Sequence, residues 1–107
     1  MKPLVRLAKA DSDVEEAVGY YLKEAPHAVG VFIDSLECAY RHIQRTPDAG
    51  SARYAWELDL PEIRFVPCGK FPYLIFYQER VDSNAVIRVL HGQRDIPATL
   101  LPLAESS

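Results

Sequence analysis

No stretch of the 107-residue chain approaches the ~20 consecutive apolar residues that a membrane span requires. Glycine is sparse and scattered: Gly19, Gly30, Gly50, Gly69 and Gly92 form no phosphate-cradling loop. The two cysteines, Cys38 and Cys68, fit neither a zinc motif nor a CxxC redox pair. A disulfide scaffold is excluded, and two thiols in a short chain lean towards a reducing compartment. His27, His42 and His91 fall on different segments with no carboxylate at ligand spacing, so no metal set is expected. Ser12, Ser35, Ser51 and Ser83 lack the context of a nucleophilic serine. The opening Met1-Lys2-Pro3-Leu4-Val5-Arg6-Leu7 holds charges where a signal peptide needs an apolar stretch. A cytoplasmic protein is expected.

A positive excess is also missing. The net charge is −3 and the pI about 5.5, where a domain that grips nucleic acid by bulk electrostatics would be basic. Residues 1–60 carry most of the acid, 10 Asp+Glu against 7 Lys+Arg, and residues 61–107 are balanced at 5 of each. Direct sequence-specific nucleic-acid binding is therefore not expected. What the chain does have is apolar residues, at 49%. That is enough for one core and, at this length, one domain over residues 1–107.

The apolar spacing changes period along the chain. Residues 4–8 read as a short strand. Ser12-Asp13-Val14-Glu15 matches a capping box. It is followed by a helical stripe of Val14, Ala17, Val18, Tyr21, Leu22 and Ala25. Pro26 ends that helix and suits the first position of the next. The second stripe is Val29, Phe32, Ile33, Leu36, Tyr40 and Ile43, and it stops before Thr46-Pro47-Asp48-Ala49-Gly50. Strands are expected at 62–66, 71–77 and 85–90, separated by turns at Cys68-Gly69-Lys70 and Val81-Asp82-Ser83-Asn84. Their short connections favour antiparallel pairing. The fold class is α+β, in the order β-α-α-β-β-β, with a helical hairpin packed on one face of an antiparallel sheet. Residues 48–60 are the least patterned, and Trp56 among them reads as a packing anchor. The tail 96–103 reads either as a short helix from Pro97 or as an extended apolar strap.

His42 suits the C-terminal end of the second helix, where a cation favours the dipole. Glu15, Glu16 and Glu24 read as the solvated face of the first helix. Tyr20, Tyr21, Tyr54, Tyr73 and Tyr77 offer stacking surfaces for bases, but Tyr21, Tyr73 and Tyr77 are read more simply as core or sheet-face residues. One cluster stands out. Arg88-Val89-Leu90-His91-Gly92-Gln93-Arg94-Asp95 gathers two arginines, a histidine and an aspartate at the end of the last strand. Arginine supplies fixed donors for a phosphate. The plainer reading is an Arg94–Asp95 surface pair with Asp95 capping a turn. Chemistry alone leaves both open.

Leu60-Pro61-Glu62-Ile63-Arg64, Phe71-Pro72-Tyr73-Leu74-Ile75-Phe76-Tyr77 and Arg88 to Asp95 together resemble ParE-type toxins. These belong to the RelE/ParE superfamily of bacterial type II toxin–antitoxin systems. Tyr20-Tyr21, the Ala25-Pro26 junction, Ala28 and Phe32 sit where such toxins have their helix pair, so the likeness covers nearly the whole chain. The resemblance implies a plasmid-stabilisation-type toxin neutralised by a cognate ParD-like antitoxin. Its target would be DNA gyrase, whose cleaved DNA complex it would stabilise. It implies no catalytic set, no metal and no cofactor. The alternative is a ribosome-dependent mRNA endonuclease of RelE type. In those nucleases the middle strands carry Lys and Arg, and a Tyr often follows the last strand. This chain has Leu74 where they have an Arg, and Thr99 or Leu100 at the tail position. Only Arg94 and His91 resemble nuclease residues. The expected target-binding edge is Arg88, His91 and Arg94. The expected antitoxin-binding residues are Ile96, Leu100, Leu101 and Leu103, although packing of the tail on the domain's own core is an equal alternative.

Overall fold

The computed structural model describes residues 2–60 and 62–100. β1 (Leu4–Arg6) runs into α1 (Ala8–Glu24). A 3-10 turn over Pro26–Ala28 joins it to α2 (Val29–Arg45), and a second over Pro47–Ala49 leads to the short α3 (Arg53–Leu58). β2 (Ile63–Pro67), β3 (Tyr73–Glu79) and β4 (Asn84–His91) follow as a meander. A last helical segment, α4, spans 96–100. The sheet order is β1-β4-β3-β2. The β2–β3 and β3–β4 pairs are antiparallel, as their short turns require. β1 joins β4 in parallel. Most of the chain lies between these two strands, and so long a connection permits that direction.

α1 begins five residues earlier than the capping box at Ser12 predicts. The backbone explains this. The Leu7 N–H donates to the Val86 carbonyl, and the Leu7 carbonyl accepts from Asp11 N–H. The sheet therefore delivers the chain directly into the first helical turn. No side chain caps that end, and Ser12 lies inside the helix. β1 is correspondingly shorter than the expected 4–8. The Pro26 junction and the stop before Pro47 fall where expected.

The sheet has two covered faces. On one, the helical hairpin contributes Val14, Ala17, Val18, Tyr21, Phe32, Leu36, Ala39 and Ile43 against Val66, Ile75, Tyr77, Val86 and Val89. Of the predicted stripes, Leu22 and Ile33 are the exceptions and are exposed. On the other face, Ile63, Phe76, Ala85, Ile87 and Leu90 lie under Tyr54, Ala55 and Leu58 of α3 and Ile96 and Leu100 of α4. The stretch with the weakest pattern thus supplies half of a second core. Trp56 is not the anchor there. It is 88% exposed, and Tyr54, Ala55 and Leu58 do the packing instead. A six-residue helix has one buried side, and Trp56 lies off it.

A bulge breaks the β3–β4 register. Phe76 pairs with Arg88 but Tyr77 pairs with Val86, which leaves Ile87 as the extra residue on β4. No helix among the described residues is long and apolar enough to cross a membrane.

Candidate functional site: the end of the last strand

The bulge and the short β1 together shape the end of β4. β1 pairs only as far as Val86, so the backbone beyond has no strand neighbour on that side. α1 takes its place through Asp13. The Asp13 carboxylate accepts from Arg88 Nε at 2.8 Å, from a terminal Arg88 nitrogen at 2.9 Å and from the Val89 backbone N–H at 2.9 Å. Both side chains are largely buried, at 9% and 17% exposed. The hydrogen bond to Asp13 raises the Arg88 pKa further, against the opposing cost of burial. This is a two-toothed, charge-assisted contact that pins α1 to the sheet edge. It ties up two of the donors that made Arg88 a candidate for target binding. Arg88 positions α1 and β4.

His91 and Arg94 are placed differently. The Gly92 N–H donates to the Pro72 carbonyl and the Arg94 N–H to the His91 carbonyl, so the chain turns sharply at the strand end. The His91 ring stands edge-on to Tyr73 at 5.3 Å. Its Nδ1 accepts the Gln93 N–H at 3.1 Å, which leaves Nε2 to carry the proton of the neutral ring. Asp13, Glu16, Ala17, Tyr73, Val89, His91 and Arg94 line a cleft of about 350 Å³. Burial, together with nearby Tyr21, Glu16 and Tyr20, pushes the Tyr73 phenol up, so it stays a donor at neutral pH. Arg94 is exposed and makes no ion pair among the described residues. The Arg94–Asp95 pair is therefore absent. The capping half of that reading holds: Asp95 Oδ1 accepts the Ala98 N–H at 3.2 Å, and α4 starts there.

The sequence thus brought His91 and Arg94 to one site but not their neighbours. Asp13, Glu16 and Tyr73 complete the cleft from α1 and β3. Sequence offered only helical spacing for the two acids and strand alternation for Tyr73.

Two residues of the expected antitoxin-binding tail take the alternative of packing on the domain's own core. Ile96 is 2% and Leu100 0% exposed, and both lie in the second core. Helical geometry from Asp95 turns them onto Phe76 and Leu90, so this is packing on the domain's own core. Leu101 and Leu103 lie outside the described residues. His42, in the last turn of α2, is not in the cleft. It lines a larger, mostly apolar groove of about 570 Å³ between α2 and β2, with Ser35, Cys38, Phe65 and Val66 among its walls.

Chemically, the cleft holds the Arg94 guanidinium, which has no ion pair among the described residues, together with an imidazole, a phenol and Glu16. Asp13 is already neutralised by Arg88. Such a set suits a protein surface offering mixed hydrogen bonds better than a polyanion.

Comparisons with known proteins agree with this architecture. A family model for the ParE toxin of type II toxin–antitoxin system, parDE, matches residues 5–96. Among solved structures, one described as the chromosomal ParDE TA system from P. aeruginosa superposes with a TM-score of 0.69 at 15% identity. The match covers 85% of this chain and 96% of that one. At that identity the likeness speaks for the fold. A search of curated proteins finds no match. With the family match extending over nearly all of the described chain, the protein belongs to the ParE toxin family of type II toxin–antitoxin systems.

Proposed function

We propose that this toxin poisons DNA gyrase by stabilising its cleaved, covalent DNA complex, and that a ParD-like antitoxin neutralises it. The match to the ParE family carries this reading. The cleft chemistry supports it. A ribosome-dependent nuclease needs several cations around the scissile phosphate and an acid–base pair. Here, among the described residues lining the cleft, Arg94 is the one unpaired Lys or Arg, and Glu16 opposes an anion. Leu74, at the position where nucleases carry an Arg, packs against the second core on the other face of the sheet. On this reading the toxin acts by binding and makes or breaks no bond itself. His91 and Arg94 face the target, and Arg88 keeps them in place through Asp13.

The test is a supercoiling assay with purified gyrase, with and without detergent and protease to release trapped cleavage. Linear DNA rising with toxin dose, and falling when antitoxin is added, is the expected result. Arg94→Ala should reduce it without lowering the melting temperature. Folded, toxic protein that leaves gyrase untouched but cuts mRNA on translating ribosomes would refute the proposal. His91 and Arg94 would then be tested as catalytic groups.

A further inference from the structure

A toxin that seizes a protein covalently joined to cleaved DNA meets two kinds of polymer, and both polypeptide and phosphate groups lie within its reach. Taken alone, the donors of the cleft suit a phosphate. Arg94 has no ion pair among the described residues. His91 keeps its Nε2 proton while Nδ1 accepts the Gln93 N–H, and Tyr73 keeps its phenolic proton. A guanidinium beside two further donors is a competent phosphate-binding set.

Glu16 stands against it. Asp13, Glu16 and Ala17 are three and four positions apart on α1, so helical geometry turns all three onto one wall of the cleft. Asp13 is held by Arg88 and the Val89 N–H. Glu16 is exposed and makes no ion pair among the described residues. Its charge still acts across the cleft. After burial and Tyr21, it is the next cause that raises the Tyr73 phenol, and it adds to the larger effect of Asp13 on Arg88. A cavity of about 350 Å³ is comparable in width with the ~8 Å over which physiological salt screens a charge. With the imidazole neutral, the charges cancel in pairs, Arg88 against Asp13 and Arg94 against Glu16. An entering phosphate meets no net attraction. An amide matches both walls, with its oxygen towards Arg94 and its N–H towards Glu16.

We propose that Glu16 is the specificity-determining residue of this cleft: it bars phosphodiesters from a donor set that would otherwise hold one, and directs Arg94, His91 and Tyr73 to peptide and side-chain amides of a protein. This rests on the target-binding reading of the cleft, and it assigns the cleft's contact to the polypeptide of the cleaved complex and not to its DNA. Specificity here comes from a repulsive group as much as from attractive ones.

The experiment titrates inorganic phosphate, and separately a thymidine dinucleotide with its single phosphodiester, into the full-length toxin. It is run at constant ionic strength and about pH 8, where an unperturbed imidazole is neutral. NMR signals of the His91 ring and the Arg94 Nε–H report binding. Glu16→Gln should bind both probes at least tenfold more tightly than the parent, with a melting temperature close to it, because no ion pair is removed. Glu15→Gln makes the same charge change on an exposed residue outside the cleft, and should bind like the parent. Adding Arg94→Ala to Glu16→Gln should abolish the gain. Equal affinity in the parent and Glu16→Gln would overturn the proposal. So would an equal gain in Glu15→Gln, which would make net charge the cause. Either result leaves gyrase poisoning untouched, since that reading stands or falls on the supercoiling assay.

Discussion

Removing the Asp13 carboxylate tests the central claim about the site. Asp13→Ala would strand a guanidinium that is only 17% exposed and leave the Val89 N–H without its partner. Breaking a buried pair by deleting one member costs about 3–5 kcal/mol, because an uncompensated charge is left behind. Total stability for such a domain is roughly 5–15 kcal/mol. The melting temperature should fall by roughly 10–25 °C. Urea denaturation gives the free energy directly, and an unchanged m-value would show that the denatured state is not what moved. A second variant separates the pair from mere packing. Asp13→Leu combined with Arg88→Met removes both charges and fills similar volume, so it should recover most of the loss. If Asp13→Ala costs less than about 1 kcal/mol, the pair behaves like an exposed one and the reasoning fails. It fails equally if the double variant is no better than the single. The functional corollary is that Arg88→Ala loses stability and toxicity together, whereas Arg94→Ala loses toxicity alone.

Trp56→Ala should change stability by no more than about 0.5 kcal/mol, since the indole is almost fully exposed, whereas Phe71→Ala should cost about 3 kcal/mol, because that ring packs on Tyr21 and Phe32; paired thermal melts compare the two. Tyr77→Phe should cost about 1–3 kcal/mol in urea denaturation: the buried hydroxyl donates to the Pro47 carbonyl and accepts the Gly50 N–H, and its loss leaves both unmatched. Burial pushes the Cys68 thiol up to about 11 and the Tyr40 phenol up to about 12. These groups ionise more readily unfolded than folded, so their contribution is complete below about pH 9 and is lost as pH rises towards 11–12. Melting temperature should decline over that window. In the native protein at pH 8, a thiol reagent should label exposed Cys38 quickly and buried Cys68 only on unfolding.

The helical hairpin and the three-strand meander were legible because one-sided burial imprints a period. Residues such as Ala17, Tyr21, Phe32 and Leu36 must recur every third or fourth position to meet a flat sheet. Proline and glycine marked the breaks, because Pro26 and Pro47 both restrict φ and lack a donor. α3 was not legible, since six residues are too few to show a period. The direction of β1 was not legible either, because nothing in three residues tells a strand where its neighbour lies. The cleft was half legible. His91 and Arg94 are close along the chain, so the sequence already joined them. Asp13 and Arg88 lie 75 positions apart, and a carboxylate on a helix looks the same in sequence whether it faces water or a guanidinium. Local pattern follows from which face of each element is apolar. Which polar groups meet follows from how the elements pack. Only the assembled sheet, with the β1 pairing ending at Val86 and a bulge at Ile87, brings Asp13 to Arg88 and leaves Arg94 without an ion pair among the described residues.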